Sequence, residues 1–221
     1  MSEAKQTKRA LIFDFDGLIL DTETAEVEIW HDLYARAGVS FDMDAYKELV
    51  GSSGHGDYDP AQALVDREGE TRTFQEVRED FRQIAYRYAE DQEPMEGVVD
   101  LISSAKAKNY LLAVGSSASY RWVGTHLSRL GLLEEFDVIV TSDDVESAKP
   151  SPDIFLKVIE KLGISADQAL VLEDSLNGVL AANRAGIRVI AVPNPITIDQ
   201  DFSLATAVVP SLAVLDPDKF F

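Results

Sequence analysis

Ala10-Leu11-Ile12-Phe13-Asp14-Phe15-Asp16-Gly17 is the stretch on which the fold turns. Its first four residues form a short apolar run that reads as a buried strand. The run stops at an acid, and a second acid and a glycine follow at once. The pattern of a short apolar run returns four times downstream. Residues 110–114 (YLLAV) run into Gly115-Ser116, and residues 137–141 (DVIVT) form the next run. Residues 169–172 (ALVL) run into Glu173-Asp174, and residues 188–192 (RVIAV) stop at Pro193.

Helices fill the intervals. Ser151-Pro152-Asp153 is a start signal, with proline at the first helical position and an acid in the first turn. Ile154, Phe155, Val158, Ile159 and Leu162 then share one apolar face, and Gly163 ends the helix. Residues 120–130 and a stretch from Val179 to Ala185 give two more helices, stopped by Gly131 and Gly186. Strands alternating with helices predict an α/β fold with a doubly wound parallel sheet.

Residues 21–90 break the alternation. Val27, Trp30, Leu33, Tyr34 and Ala37 recur at helical spacing, as do Phe74, Val77, Phe81, Ile84 and Tyr88. Between the two sets lies the glycine-rich Gly51-Ser52-Ser53-Gly54-His55-Gly56. The expectation is a core of residues 1–20 and 91–221 with a small all-helical insertion, residues 21–90, after the first strand.

The whole-chain numbers exclude several classes. With 221 residues, 46% of them hydrophobic, the chain can bury a proper core. Its 39 acidic and 20 basic residues give a net charge of −19, a field that repels nucleic acid. There is no cysteine, so disulfides and thiolate metal sites are excluded. The polar start MSEAKQTKR lacks a signal peptide's apolar core, and no apolar run is long enough for a bilayer. The expectation is a cytoplasmic protein, with no membrane, nucleic-acid or protein partner implied.

In an open parallel sheet, ligands bind beyond the carboxyl ends of the strands, where strand order reverses. The polar residues that follow the apolar runs are Asp14 and Asp16, Ser116, and Glu173 with Asp174; Lys149 precedes a helix. Four carboxylates brought to one edge would raise one another's pKa values, a penalty that a hard divalent cation such as Mg²⁺ removes. Lys149 and Ser116 suit phosphate oxygens, and Gly17 lets the backbone turn tightly and approach a ligand. With Asp14 at a strand end and Asp16 two residues on, one carboxylate can attack phosphorus while the other handles the leaving-group proton.

The stretch Asp14-Phe15-Asp16-Gly17-Leu18-Ile19-Leu20-Asp21-Thr22-Glu23 resembles the first signature of the haloacid dehalogenase superfamily. Val114-Gly115-Ser116-Ser117 resembles the second, Ala148-Lys149-Pro150-Ser151-Pro152-Asp153-Ile154-Phe155 the third, and Leu172-Glu173-Asp174-Ser175-Leu176-Asn177-Gly178 the fourth. The insertion is similar to the small cap of the phosphoglycolate phosphatase and β-phosphoglucomutase branch. The resemblance implies a Rossmann-like core and a Mg²⁺-dependent phosphatase acting on a small phosphorylated metabolite. It makes Asp14 the nucleophile and a metal ligand, and Asp16 the general acid/base with its carbonyl on the metal. It makes Asp174 a direct ligand, with Glu173 binding or orienting the metal through water. Ser116 and Lys149 would hold the phosphoryl group, and the cap would close over the substrate.

Plainer readings stand beside these. Ser116-Ser117 can cap the next helix, a role compatible with phosphate binding. Asn177 and Gly178 serve the turn and helix packing, Asp21 and Glu23 are solvated or capping, with Glu23 alternatively facing the substrate, and Trp30 and Trp122 are packing residues. His31 and His126 belong on helix surfaces, while His55, in the glycine-rich loop, is a candidate for substrate contact. Two other enzyme readings compete. A dehalogenase would need neither metal nor an acid at position 16. A β-phosphoglucomutase-like mutase would carry a histidine where Glu26 stands, and an arginine in the cap loop, which has none between Gly51 and Asp59. A non-enzyme that binds a partner through its acidic surface is the remaining alternative.

Overall fold

The computed structural model describes residues 8–52, 58–68 and 71–221. Strand β1 (Ala10–Phe13) is followed by four helices: α1 (Glu23–Arg36), α2 (Met43–Lys47), α3 (Pro60–Glu68) and α4 (Phe74–Glu90). Helix and strand then alternate: α5 (Val98–Ala107), β2 (Leu111–Gly115), α6 (Tyr120–Arg129), β3 (Val138–Val140) and α7 (Asp153–Leu162). The chain ends through β4 (Ala169–Glu173), α8 (Leu176–Arg184), β5 (Arg188–Ala191) and β6 (Ala207–Val208).

The six strands form one sheet in the order β3-β2-β1-β4-β5-β6, every pair parallel. The order reverses on either side of β1, so the switch point lies at its carboxyl end, between β1 and β4. Phe13 stands opposite both Val114 and Leu172. The next residues along, Asp14, Gly115 and Glu173, therefore finish at one level.

The pleat divides the strand residues between two cores. Leu11, Phe13, Leu112, Val114, Leu170 and Leu172 pack with Leu101 and Ile102 of α5 and Val123 and Leu127 of α6. Ile12, Ala113, Val171 and Val189 face the other way, onto Ile154, Phe155 and Val158 of α7 and Val179 and Ala182 of α8. With helices on both faces the strands are buried on both, which is why they read as unbroken apolar runs.

Helices α1 to α4 enclose a third apolar cluster of their own. It contains Trp30, Leu33 and Tyr34 of α1, Tyr46 of α2, Leu64 of α3 and Val77 of α4. Trp30 stacks on Phe81 with ring centroids 4.4 Å apart. Helix α4 opens with a capping box, Thr73 and Glu76 each accepting from the other's backbone N–H. Among the described residues no helix is long and apolar enough to cross a membrane.

Two details depart from the sequence reading. Pro152 stands one place before the first helical residue of α7, Asp153. The edge strand β6, two residues long, went unforeseen because so short a run carries no periodic signal.

Phe13 is wholly buried and meets Phe136 edge-on at 5.7 Å. Phe13→Ala should cost about 3–5 kcal/mol of stability. Urea unfolding should show a lower midpoint at an unchanged slope.

Candidate active site

The loops beyond β1, β4 and β2 carry the polar residues of the site. Asp14 continues β1 by one residue, its N–H donating to Leu172 O at 2.9 Å. Gly17 follows at φ +74°, a conformation suited to glycine. A Cβ there would sit 2.3 Å from Asp174 Oδ2 and 2.7 Å from Asn194 Nδ2. The first signature is thus pressed against the fourth.

Lys149 lies at the centre. Its buried ammonium donates to Asp14 Oδ1 and to Glu173 Oε1, each at 2.5 Å, and sits 4.9 Å from the Phe155 ring centroid. Ser175 donates to Glu173 Oε2 through both its N–H (3.0 Å) and its hydroxyl (2.9 Å). Room for this carboxylate exists because residue 178 is glycine: a Cβ there would lie 1.8 Å from it. Asp174 Oδ2 accepts from Asn194 Nδ2 at 2.7 Å. Its other oxygen, Oδ1, is buried with no hydrogen-bond partner among the described residues.

Carboxylate oxygens of Asp14, Glu173 and Asp174 come within 4.8 Å of one another. Lys149 pairs with two of these three carboxylates; with all three ionised, the group carries two negative charges more than positive, which one divalent cation would balance. The orphaned Asp174 oxygen and the all-oxygen donor set fit a hard cation. Burial is the first cause of the raised pKa of Asp14, pushed up to about 8; Lys149 pulls it down while Glu173 and Asp16 push it up. Asp174 is carried well above the carboxylate range by burial and then by Glu173 and Asp14. Burial opposes the charge on Lys149, but Asp14 and Glu173 outweigh it and raise the pKa of the ammonium.

Asp16 faces elsewhere. Its Oδ1 accepts from Thr22 Oγ1 and from Trp122 Nε1, both at 2.8 Å. Burial raises its pKa against these two donors. Ser116 is buried beyond β2, and its Oγ accepts from Ala118 N–H at 3.0 Å. Ser117 Oγ donates to Gly51 O at 3.1 Å, and Asn177 Nδ2 donates to Val50 O at 2.8 Å, so both residues tie the loop after α2 to the sheet edge.

A cleft of 360 Å³ opens between these loops and the helical segment. Asp14, Asp16, Ser116 and Ser117 line one side; Glu23, Glu26, Tyr46, Arg78 and Arg82 are among those lining the rest.

The structure corrects several sequence readings. Neither Ser116 nor Ser117 caps α6; Ser119 does. Glu23 is buried in the cleft wall, and its pKa is carried well above normal by burial and by Glu26. His126 is buried, not on a helix surface, among the rings of Phe15, Tyr86 and Trp122. Burial lowers its pKa to about 4, so it is neutral. His55 lies outside the described residues. Asn194 and the Trp122 indole N–H were missed, and no local pattern in the sequence points to either contact.

The chain is similar to known proteins along nearly its whole length. The family model described as haloacid dehalogenase-like hydrolase matches residues 11–192. The Bacillus subtilis protein YhcW is 36% identical over 86% of this chain and 85% of its own. The fructose-1-phosphate phosphatase YqaB of Escherichia coli is 31% identical over 82% of this chain and 95% of its own. The structure of CbbY from Rhodobacter sphaeroides in complex with phosphate gives a TM-score of 0.75 at 28% identity, covering 95% of this chain and 96% of that one.

Glu26 offers a test of the cleft's electrostatics. Burial and then Asp16 raise its pKa to about 7, from an ordinary 4.5, against a hydrogen bond from Tyr46. The folded state therefore holds this proton more tightly than the unfolded state does. The stability so gained is complete below the unfolded pKa and is lost as pH rises through the folded one. Glu26→Gln should shrink the difference between urea midpoints measured at about pH 5 and about pH 8. A variant with the parent's pH dependence would contradict the assignment.

Proposed function

Because the chain belongs to the haloacid dehalogenase-like hydrolase family, we propose that it is a Mg²⁺-dependent phosphatase that hydrolyses a small phosphate ester through an aspartyl-phosphate. The observation that carries this reading is the buried group of Asp14, Lys149, Glu173 and Asp174 at the sheet's switch point, which meets the cleft through Asp14, with Asp16 also in the cleft wall.

Asp14 attacks phosphorus, and the bond to the ester oxygen breaks. Asp16 gives its proton to that oxygen and the alcohol leaves. Asp16 then takes a proton from water as the water attacks the aspartyl-phosphate, which regenerates Asp14 and releases phosphate. Lys149 holds Asp14 in place, and with Ser116 it offsets the charge of the transferring group. Asp14, Asp174 and the Asp16 carbonyl would hold the metal, with Glu173 orienting it through water. When bound, the cation would neutralise charge on the phosphoryl oxygens.

The helical segment, residues 21–90, acts in this reading as a cap that excludes bulk water. Its acids and arginines in the cleft wall suit a hydroxylated, phosphorylated metabolite such as a sugar phosphate, in keeping with the fructose-1-phosphate phosphatase among the relatives. The cleft's 360 Å³ accords with a small ligand. Glu26 is an acid hydrogen-bonded to Tyr46 at the place where the mutases of this branch carry a histidine, which favours hydrolysis over phosphoryl return.

The test is phosphate release from a panel of sugar phosphates, phosphoglycolate and nucleotides. Release should require Mg²⁺, stop with EDTA and fall to the uncatalysed rate in Asp14→Asn. Asp16→Asn should lose about 10²–10⁴-fold in kcat. Separately, Mg²⁺ should raise the thermal midpoint of the parent but not of Asp174→Asn. An isomerised sugar phosphate in place of free phosphate would identify a mutase.

A further inference from the structure

Trp122 joins three parts of the molecule. It stands on α6, and it packs against both the core cluster that holds Phe15 and the cluster inside the helical segment. The edge of its ring arrangement meets Tyr86 of α4, with centroids 4.8 Å apart and planes at 79°. On its own helix it meets His126 at 4.3 Å and 71°. Its indole N–H reaches Asp16 Oδ1 at 2.8 Å. An indole nitrogen only donates, so this oxygen is committed as an acceptor. Thr22 donates to the same oxygen. Among the described residues no hydrogen bond reaches Asp16 Oδ2, and Asp16 lines the cleft.

We propose that Trp122 is a positioning residue for Asp16: its N–H, backed by Tyr86, holds Oδ1 so that the catalytic proton travels through Oδ2. The inference rests on the reading of Asp16 as general acid/base. The proton leaves Oδ2 for the ester oxygen in the first step and returns to Oδ2 from water in the second, while Oδ1 stays bonded to Trp122 and Thr22. Because Tyr86 comes from the helical segment, the indole is seated when that segment lies against the core.

Trp122→Phe keeps a ring against Tyr86 and removes the N–H. The readout is the single-turnover rate of alcohol release, which reports the first step alone, and KM on two esters: the sugar phosphate that ranks first in the panel above, and p-nitrophenyl phosphate. The sugar alkoxide needs a proton to leave, whereas p-nitrophenolate hardly does. The variant should lose about 10- to 100-fold in that rate on the sugar phosphate, a part of what general acid–base catalysis supplies. It should be nearly unchanged on p-nitrophenyl phosphate, with KM unaltered on both. Asp16→Asn should show the same bias more deeply. If Asp16→Asn is biased and Trp122→Phe loses equally on both esters, changes only KM, or loses nothing, the inference fails and the reading of Asp16 stands. If Asp16→Asn itself shows no bias, both fail. Tyr86→Leu, which leaves the N–H in place but unsupported, should show a weaker form of the bias; it carries the test if Trp122→Phe does not fold.

Discussion

The ammonium of Lys149, held between Asp14 and Glu173 in the protein interior, is the interaction on which the rest depends. Charges so deeply buried are tolerable only when paired and hydrogen-bonded, and losing one partner of such a pair costs about 3–5 kcal/mol. The fold supplies every condition. The parallel register brings Asp14 and Glu173 to one level, Ser175 occupies the far oxygen of Glu173, and the Phe155 ring faces the cation. Carboxylates still outnumber ammonium groups, and that imbalance suits the place to a hard cation.

The sheet's centre was legible in the sequence because β1, β2, β4 and β5 are covered on both faces. Burial on both faces removes the polar half of the usual alternation and leaves apolar runs that end abruptly at polar residues. Those abrupt ends marked Asp14, Ser116, Glu173 and Asp174; Glu173 is the last residue of β4, and the other three lie just beyond the carboxyl ends of β1, β2 and β4. The helical segment was legible for a related reason: Trp30, Leu33 and Tyr34 are spaced to meet one interior, and they do.

What could not be read depends on contacts between distant parts of the chain. Trp122 looked like packing because its ring does pack, and nothing near it in sequence announces Asp16, 106 positions away. Asn194 reaches Asp174 from the loop after β5. His126 sits on an amphipathic helix whose exposed side could have taken it, but the rings of Phe15 and Tyr86 cover it. Strand β6 exists through pairing with β5 and has no pattern of its own.

The glycine at 178 also bears on Lys149, 29 places away. Its missing methyl group is the volume in which the Glu173 carboxylate lies. A methyl group there would displace that carboxylate, and with it one of the two acceptors that hold the buried ammonium.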